Sequence, residues 1–335
     1  MTTAESSTLQ RGSTYKRRDE TPTPRPVHWK VKTRVSPADH ALAAQCDLSP
    51  VTAAVLRSRG YDTPAVVQAF LNPTDALLRD PLLLPDIAPA IARLHRAIIE
   101  KEPILVFGDY DVDGVTSAAL LTRALRALQA NVHHFVPERA DGYGLNSAAV
   151  EDAARRGEKL IVTADCGIMA HEAAQRAREL GVDLVVTDHH PPGDTLPEAV
   201  AVVNPARADS QYGFTGLSGC GVAFKLLQAL MQEYWPRHAA SFSEKFIELV
   251  ALAAVADCVS LTDENRYLAF EGLRRLANTN KPGLQALMRA AKLKVRGETV
   301  SGGHVGFVLA PRLNAAGRIA SPQLSLNLLL SSEPA

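Results

Sequence analysis

From residue 104 onward, short apolar runs alternate with amphipathic stretches of about a dozen residues. The apolar runs are rich in Val, Ile and Leu, which is typical of strands that are buried on both faces. The predicted strands are 104–109, 132–137, 159–165, 183–188 and 201–204. The predicted helices between them are 115–129, 146–156 and 169–180. Strands that alternate with helices predict an α/β fold, with a parallel β-sheet flanked by helices on both faces.

The chain before this alternation has a different pattern. Residues 1–36 are rich in Thr, Ser, Pro and Arg and poor in apolar residues, which predicts a disordered basic tail. Residues 37–86 form a predicted helical N-terminal segment that ends in a Pro- and Leu-rich connector. Within it, Ser49 and Pro50 suit a helix cap and a first helical position. An amphipathic helix over 87–100 then opens a predicted catalytic domain that spans 87–330.

Beyond the last strand, the pattern is mainly helical. A glycine-rich loop is predicted over 213–222, before a helix at 223–233, and its backbone N–H groups can face a phosphate. The loop lacks the spacing of a nucleotide-binding P-loop. An apolar helix over 246–255 runs towards Asp257, where a carboxylate is costly unless it is paired, bound to metal or turned to water. Residues 261–330 are predicted to be helices plus the separate motif 311–318, Pro-Arg-Leu-Asn-Ala-Ala-Gly-Arg.

Carboxylates follow three of the predicted strands. Asp109 ends the first strand, Asp111 and Asp113 follow it within four positions, and Asp165 and Asp188 end two later strands. Because the carboxyl ends of parallel strands meet at one edge of a sheet, we expect these side chains to converge. Crowded carboxylates repel one another unless a cation lies between them, and oxygen ligands suit Mg²⁺ or Mn²⁺. The alternative for the first turn alone is a solvated acidic turn with helix-capping Asp residues.

Composition narrows the class of protein. The chain has 335 residues and is 46% hydrophobic, which is ordinary for a soluble globular protein. No apolar run reaches the ~20 residues of a membrane span, and no signal peptide is visible at the N-terminus. The four cysteines contain no C-x-x-C pair, so the sequence predicts neither a zinc ribbon nor a disulfide framework. We therefore expect a reducing, cytoplasmic location.

The net charge of zero conceals an uneven distribution. Residues 1–34 contain eight Lys or Arg and three Asp or Glu, and residues 270–318 contain nine and two. The segment between them is acidic overall. An acidic centre with basic flanks suits a metal site that also holds a polyanion, although a scatter of solvated charges gives the same counts.

Four short motifs stand in order along the chain. They are Asp-Tyr-Asp-Val-Asp-Gly at 109–114, Thr-Ala-Asp-Cys-Gly at 163–167, Asp-His-His at 188–190 and Ala-Asp-Cys-Val at 256–259. Together they resemble the four motifs of the DHH phosphoesterase superfamily. Segments 142–146, 217–222 and 311–318 are similar to a branch of bacterial exonucleases that degrade single-stranded DNA from the 5′ end. The resemblance spans about 54–330 and implies a DHH-type sheet.

The resemblance implies a site for two divalent ions, Mn²⁺ or Mg²⁺. Carried over by motif, the expected ligands are Asp109, Asp111, Asp113, Asp165, His189 and Asp257. In this arrangement Asp165 bridges the ions, and Asp109 is either a further ligand or an orienting residue. Phe107 stands where many members have a histidine, so the first ion lacks one ligand that is frequent in the superfamily.

The resemblance also implies roles in catalysis and substrate binding. The expected catalytic residues are Asp111, Asp113, His189 and His190. By this resemblance His190 faces the scissile phosphate, and Asp188 orients the histidines without binding the metal itself. The expected substrate-binding residues are Tyr143, Ser218, Gly219, Arg312, Asn314 and Arg318. Tyr143 either stacks a base or packs on the core as an ordinary loop aromatic.

The activity that the resemblance implies is metal-dependent hydrolysis of phosphodiester bonds, as a 5′-to-3′ exonuclease on single-stranded DNA in recombination and repair. Implied partners are the single strand, a single-stranded-DNA-binding protein and a helicase, with no membrane. Similar proteins continue into a DHH-associated domain and an OB-fold that this sequence lacks, so we expect impaired cleavage. Alternatives are a DHH phosphatase or oligonucleotidase acting on short nucleotides, and a non-catalytic nucleic-acid-binding protein.

Overall fold

The computed structural model describes residues 34–293 and 300–333. Most of the predicted disordered tail, residues 1–33, lies outside the described residues. The chain divides into two compact units, Met1–Pro64 and Ala65–Ala335. The first contains helices α1 (Pro37–Cys46) and α2 (Pro50–Arg57). The Ser49 side chain accepts a hydrogen bond from the Thr52 N–H, which confirms the predicted cap of α2.

A parallel sheet forms the centre of the second unit. Within the described residues it has five strands in the order β2-β1-β3-β4-β5. The strands are β1 (Ile104–Gly108), β2 (Val132–Phe135), β3 (Leu160–Ala164), β4 (Asp183–Thr187) and β5 (Ala201–Val203). Gly108 pairs with Ala164, and Thr187 pairs with Val203, so the strands end near one edge. The predicted strands and their parallel arrangement are confirmed, with ends that differ by at most two residues.

Helices cover both faces of the sheet. The helices of this unit are α3 (Pro64–Leu71, which begins one residue earlier), α4 (Ile87–Ile99), α5 (Val112–Ala127), α6 (Ser147–Arg155), α7 (His171–Leu180), α8 (Gly219–Tyr234), α9 (Ala239–Ser243), α10 (Ile247–Ala256), α11 (Asp263–Leu276), α12 (Pro282–Ala290), α13 (Gly302–His304), α14 (Ala310–Ile319) and α15 (Pro322–Leu330). Ile104 and Val106 belong to an apolar cluster with α4, α5, α8 and α10. Leu105 and Phe107 face a second cluster with α6 and α7. Among the described residues, no helix combines the length and the apolar character that crossing a bilayer demands.

Two segments differ from the sequence prediction. Helix α8 begins at Gly219 rather than 223, because the Ser218 side chain caps it by accepting from the Gly221 N–H. The predicted glycine-rich loop therefore ends inside a helix.

Motif 311–318 lies within α14, which follows a π-helical segment, Val305–Leu309. A proline inside a helix lacks an N–H and crowds the carbonyl four residues earlier, so the wider π turn before Pro311 relieves that conflict.

Candidate metal centre

The strand order creates a crevice at one edge of the sheet. The chain leaves β1 for β2 on one side and then returns to place β3 on the other side of β1. Such a switch point is where open α/β sheets bind ligands, beyond the carboxyl ends of the strands. Asp109 and Asp165 are the first residues after β1 and β3, and Asp188 is the first after β4. The predicted convergence of strand-end carboxylates thus follows from the topology.

The turn from β1 into α5 holds three carboxylates in different settings. Asp111 caps α5, because its side chain accepts from the Gly114 N–H at 3.1 Å. Asp109 and Asp113 are buried on either side of it. A Cβ atom at residue 114 would come within 2.5 Å of the Asp109 carbonyl oxygen, so only glycine fits at Gly114.

Asp113 is bound by the first turn of α8. Its carboxylate accepts from the N–H groups of Gly219 at 2.7 Å and Cys220 at 2.8 Å. A helix N-terminus carries partial positive charge and favours an anion at this position. Burial nevertheless raises the pKa of Asp113 to about 8, and the nearby Asp257 charge adds to the increase. The site therefore holds this carboxylate in place but leaves its negative charge poorly compensated.

Asp165 lies against the same helix end. Its backbone is left-handed, with φ of 66°, and its carbonyl accepts a hydrogen bond from the Tyr143 hydroxyl at 3.2 Å. A Cβ atom at residue 219 would overlap the Asp165 carboxylate, so Gly219 permits the close approach of α8. Burial raises the pKa of Asp165, and the charge of Asp113 raises it further.

Asp188 organises the two histidines that follow it. One carboxylate oxygen accepts from the N–H groups of His189 at 2.7 Å and His190 at 3.1 Å, and lies 2.7 Å from the His190 Nδ1. The other oxygen accepts from the Ile168 N–H at 2.9 Å. The hydrogen bond with Asp188 raises the pKa of His190. Both oxygens of Asp188 are occupied within the protein, so this residue orients the histidines rather than facing the centre.

His189 points its Nε2 atom into a group of three carboxylates. The Nε2 atom lies 3.1 Å from Asp165 Oδ1 and 3.8 Å from carboxylate oxygens of Asp113 and Asp257. Burial lowers the pKa of His189, which favours the neutral imidazole. The neutral form is the one that binds metal ions through a ring nitrogen.

Several buried donor atoms of this centre have no hydrogen-bond partner in the described part of the chain. They are Asp109 Oδ1, Asp165 Oδ1 and His189 Nε2. A buried polar atom without a partner costs about 1–3 kcal/mol, and more when it is charged. Donor atoms also lie within 4.8 Å of one another in three groups: Asp109, Asp111 and Asp165; Asp113, His189 and Asp257; and Asp165, His189 and His190. Divalent cations would satisfy these atoms and neutralise their charge, so the residues fit a metal centre.

The six predicted metal ligands thus lie together, although their roles as ligands remain predictions.

Phe107, which stands where many superfamily members have a histidine, lies in β1 with its ring in the second apolar cluster. Its ring centre lies 5.7 Å from that of Phe135. It contributes packing to the sheet and no donor atom to the centre.

The predicted substrate-binding residues fall into two sets. Tyr143 is 56% exposed, and its hydroxyl lies 3.2 Å from the His190 Nδ1, so it is at the centre. The Ser218 hydroxyl caps α8 and the Gly219 N–H binds Asp113, which corrects the expectation that this segment offers free N–H groups to a phosphate. The other three residues are on α14; they are Arg312, Asn314 and Arg318.

Sequence reasoning missed the part that α8 plays in the centre. Its first turn donates two N–H groups to Asp113 and makes room for Asp165, which lies more than fifty residues away in sequence. A signal was present, because Ser218 precedes three small residues in the way that an N-cap precedes a helix. Gly219, which was predicted to lie in a loop, is in fact required for the close packing of α8 against Asp165.

Comparison with protein families and curated proteins places the chain among known relatives. The N-terminal domain of the DHH family matches residues 103–254. The single-stranded-DNA-specific exonuclease RecJ of Bacillus subtilis (strain 168) is 38% identical over 311 residues, which are 92% of this chain and 38% of that relative. The chain therefore spans well under half the length of this curated relative.

Solved structures show the same fold. RecJ from Thermus thermophilus in complex with Mn²⁺ is 34% identical, with a TM-score of 0.74 over 88% of this chain and 41% of that one. RecJ from the same source in complex with Mg²⁺ is 30% identical, with a TM-score of 0.64 over 88% of this chain and 38% of that one.

Proposed function

Since the chain belongs to the DHH family, we propose that it is a divalent-metal-dependent nuclease that degrades single-stranded DNA from the 5′ end, in recombination and repair. One observation carries the proposal: five carboxylates and one imidazole lie together, and three of their buried donor atoms have no partner within the described chain. The named activity of the RecJ relatives supports the choice of substrate. We further propose that the catalytic domain spans 87–330.

The proposed cofactor is a pair of Mn²⁺ or Mg²⁺ ions. Asp109, Asp111 and Asp165 would hold one ion, and Asp113, His189 and Asp257 the other, with Asp165 close enough to His189 to serve both. When bound, such ions polarise a phosphate oxygen and make a water molecule more acidic. Manganese and magnesium accept the carboxylate oxygens that dominate both groups.

The remaining residues position the reacting phosphate. The Nδ1–H of His190 is directed to Asp188, which leaves Nε2 as the ring atom for a phosphate oxygen. Because Asp188 raises the pKa of His190, its cationic form persists to higher pH than that of an ordinary histidine. A cationic His190 can donate a proton to a phosphate oxygen and stabilise the charge that grows there during phosphoryl transfer.

The proposal also covers the partners of the protein and its location in the cell. An enzyme that consumes single strands needs a source of them, so a helicase and a single-stranded-DNA-binding protein are the proposed partner classes. All four cysteines are free thiols, three of them buried, which suits a reducing cytoplasm.

The test is Mn²⁺-dependent release of nucleotides from single strands labelled at the 5′ end, compared with strands labelled at the 3′ end. We expect early release of the 5′ label, no release in EDTA, and loss of activity in Asp113→Ala. Asp152→Ala is the matched control, because Asp152 is a half-exposed carboxylate that pairs with Arg155 and Arg156.

A substrate panel separates the proposal from its alternatives. It compares long single strands with double-stranded DNA, short RNA and pyrophosphate. Faster turnover of pyrophosphate or short RNA would replace the proposal with a phosphatase or oligonucleotidase. Activity equal to that of Asp113→Ala on every substrate, with no Mn²⁺-dependent thermal stabilisation, would indicate a non-catalytic protein.

A further inference from the structure

The π-helical segment lies beside the metal centre. Val255 is in the last turn of α10, two residues before Asp257. A Cβ atom built at Gly306 would lie 3.9 Å from Val255 Cγ1, so this segment contacts the helix end that presents Asp257. Segments of π-helix are uncommon and frequently occur at functional sites.

Two large apolar side chains in this region are turned to solvent. Phe307 of the π segment is 87% exposed, and Ile319 at the end of α14 is 85% exposed. The next most exposed large apolar side chain among the described residues is Val51, at 64%. Phe307 is too exposed to be a core residue. A solvent-exposed aromatic ring is suited to stacking on another flat apolar group.

The charge around these side chains favours a polyanion. Residues 300–332 contain no Asp or Glu, but they contain Arg312, Arg318 and His304. Arg312 and Ile319 are seven residues apart on α14 and therefore share a face of the helix. Arg312 uses Nη1 to donate to the Val308 carbonyl at 2.8 Å, and both arginine side chains are on exposed residues. Cations on the same segment as an exposed aromatic ring are the combination that binds single-stranded nucleic acid.

We propose that Phe307 is a stacking platform for a base of the single strand whose end enters the metal centre, and that Arg312 holds the adjoining phosphate. The inference rests on the proposed function and adds to it a strand path that leads along the π segment and α14. The strand follows Phe307 and Arg312 towards Ile319, whose apolar side chain contacts a further base. The ring recognises any base through its π-face, so this contact carries little sequence preference.

The test measures binding without cleavage, by fluorescence anisotropy of the 335-residue chain in EDTA. The probes are a labelled oligothymidylate and an abasic strand of the same length. Phe307→Ala should weaken binding of the oligothymidylate about tenfold and leave the abasic strand within about twofold. Arg312→Ala should weaken both strands and reduce the salt dependence of binding by about one counterion. Leu324→Ala, which removes another exposed side chain from α15, is the matched control and should change neither.

Each other outcome overturns the inference in a recognisable way. If wild type binds and cleaves single strands while Phe307→Ala binds both probes as wild type does, the platform is wrong and the proposed nuclease stands. If wild type neither binds nor cleaves the strands, both fail together. If Phe307→Ala abolishes self-association of the chain without changing strand affinity, this face is an interface between protein copies. Phe307 is exposed, so unchanged thermal unfolding of the variant will verify that it folds.

Discussion

At the scale of single residues, the centre depends on carboxylates that the protein buries without neutralising them. Asp113 has two N–H donors from α8, and Asp165 has close contact with His189, yet burial raises the pKa of each. The sequence predicted these residues, because each follows a strand in a recognisable motif. It did not predict their partners, because the contacts between Asp113 and α8 join residues more than a hundred positions apart.

The first prediction concerns pH. Without metal, burial raises the pKa of Asp109 to about 6 and of Asp113 to about 8, from an ordinary 3.8. The folded protein then binds protons that the unfolded chain has lost, so the free energy of unfolding should fall as pH rises from about 4 to about 8. Divalent ions displace these protons, so Mn²⁺ should stabilise the protein more at about pH 8 than at about pH 5.

Thermal unfolding at the two pH values, in EDTA and in Mn²⁺, measures this difference. Asp113→Asn is the control, because an amide cannot titrate, and it should reduce the pH dependence in EDTA. An equal Mn²⁺-induced shift at both pH values would show that the buried carboxylates do not govern metal binding.

The second prediction concerns Gly219. A methyl group on Gly219 would overlap the Asp165 carboxylate, so Gly219→Ala should displace that side chain and weaken Mn²⁺ binding at least about tenfold. Gly221→Ala is the matched control in the same turn, where the atoms nearest to the new methyl belong to the Leu217 side chain, at 3.2 Å or more. Calorimetric titration with Mn²⁺ compares the two variants. Wild-type affinity in Gly219→Ala would mean that the contact with Asp165 is not required.

At the scale of elements, apolar periodicity predicted the strands and most helices, because buried strands leave a dense local signal. Helix starts were less well predicted where capping decides them. Asp111 begins α5 at Val112 and Ser218 begins α8 at Gly219, three and four residues earlier than expected. The helical state of 311–318 was missed because Pro311 and Gly317 are typical of loops. The preceding π turn and tertiary packing overcome that preference.

The third prediction tests the cap of α8. Ser218→Ala removes the acceptor for the Gly221 N–H and should lower the free energy of unfolding by about 1 kcal/mol. The frayed turn also carries the N–H donors to Asp113, so Mn²⁺ affinity should fall as well. Ser147→Ala, at the first position of α6, is the control and should change each quantity little. Urea denaturation in EDTA gives the stability. A loss confined to stability would separate the cap from the metal centre.

At the scale of the larger unit, a buried polar network joins the segment before α4 to helices α8 and α11. The Lys225 ammonium lies 2.8 Å from the Glu264 carboxylate and donates to the Arg79 carbonyl at 2.9 Å. The Tyr212 hydroxyl donates to the other oxygen of Glu264 at 2.5 Å. Strand order and this network could not be derived from local sequence, since both depend on pairings between distant segments.

The fourth prediction concerns this network. Lys225→Met leaves the buried Glu264 carboxylate without its cation and should cost about 3 kcal/mol of unfolding free energy. Lys225→Met with Glu264→Gln should cost less than the sum of the single changes, because the pair is lost together. Urea denaturation of the three variants and wild type measures the coupling. Additive costs would show that the pair contributes no interaction energy.

The central claim is that distant parts of the chain form one centre for two divalent ions. Isothermal titration calorimetry with Mn²⁺ tests it directly. We expect about two ions per wild-type chain, with proton release on binding, and a clear loss of affinity in Asp165→Asn, which removes the carboxylate that we propose serves both ions. Failure of the wild-type chain to bind Mn²⁺, or unchanged binding in Asp165→Asn, would contradict that claim.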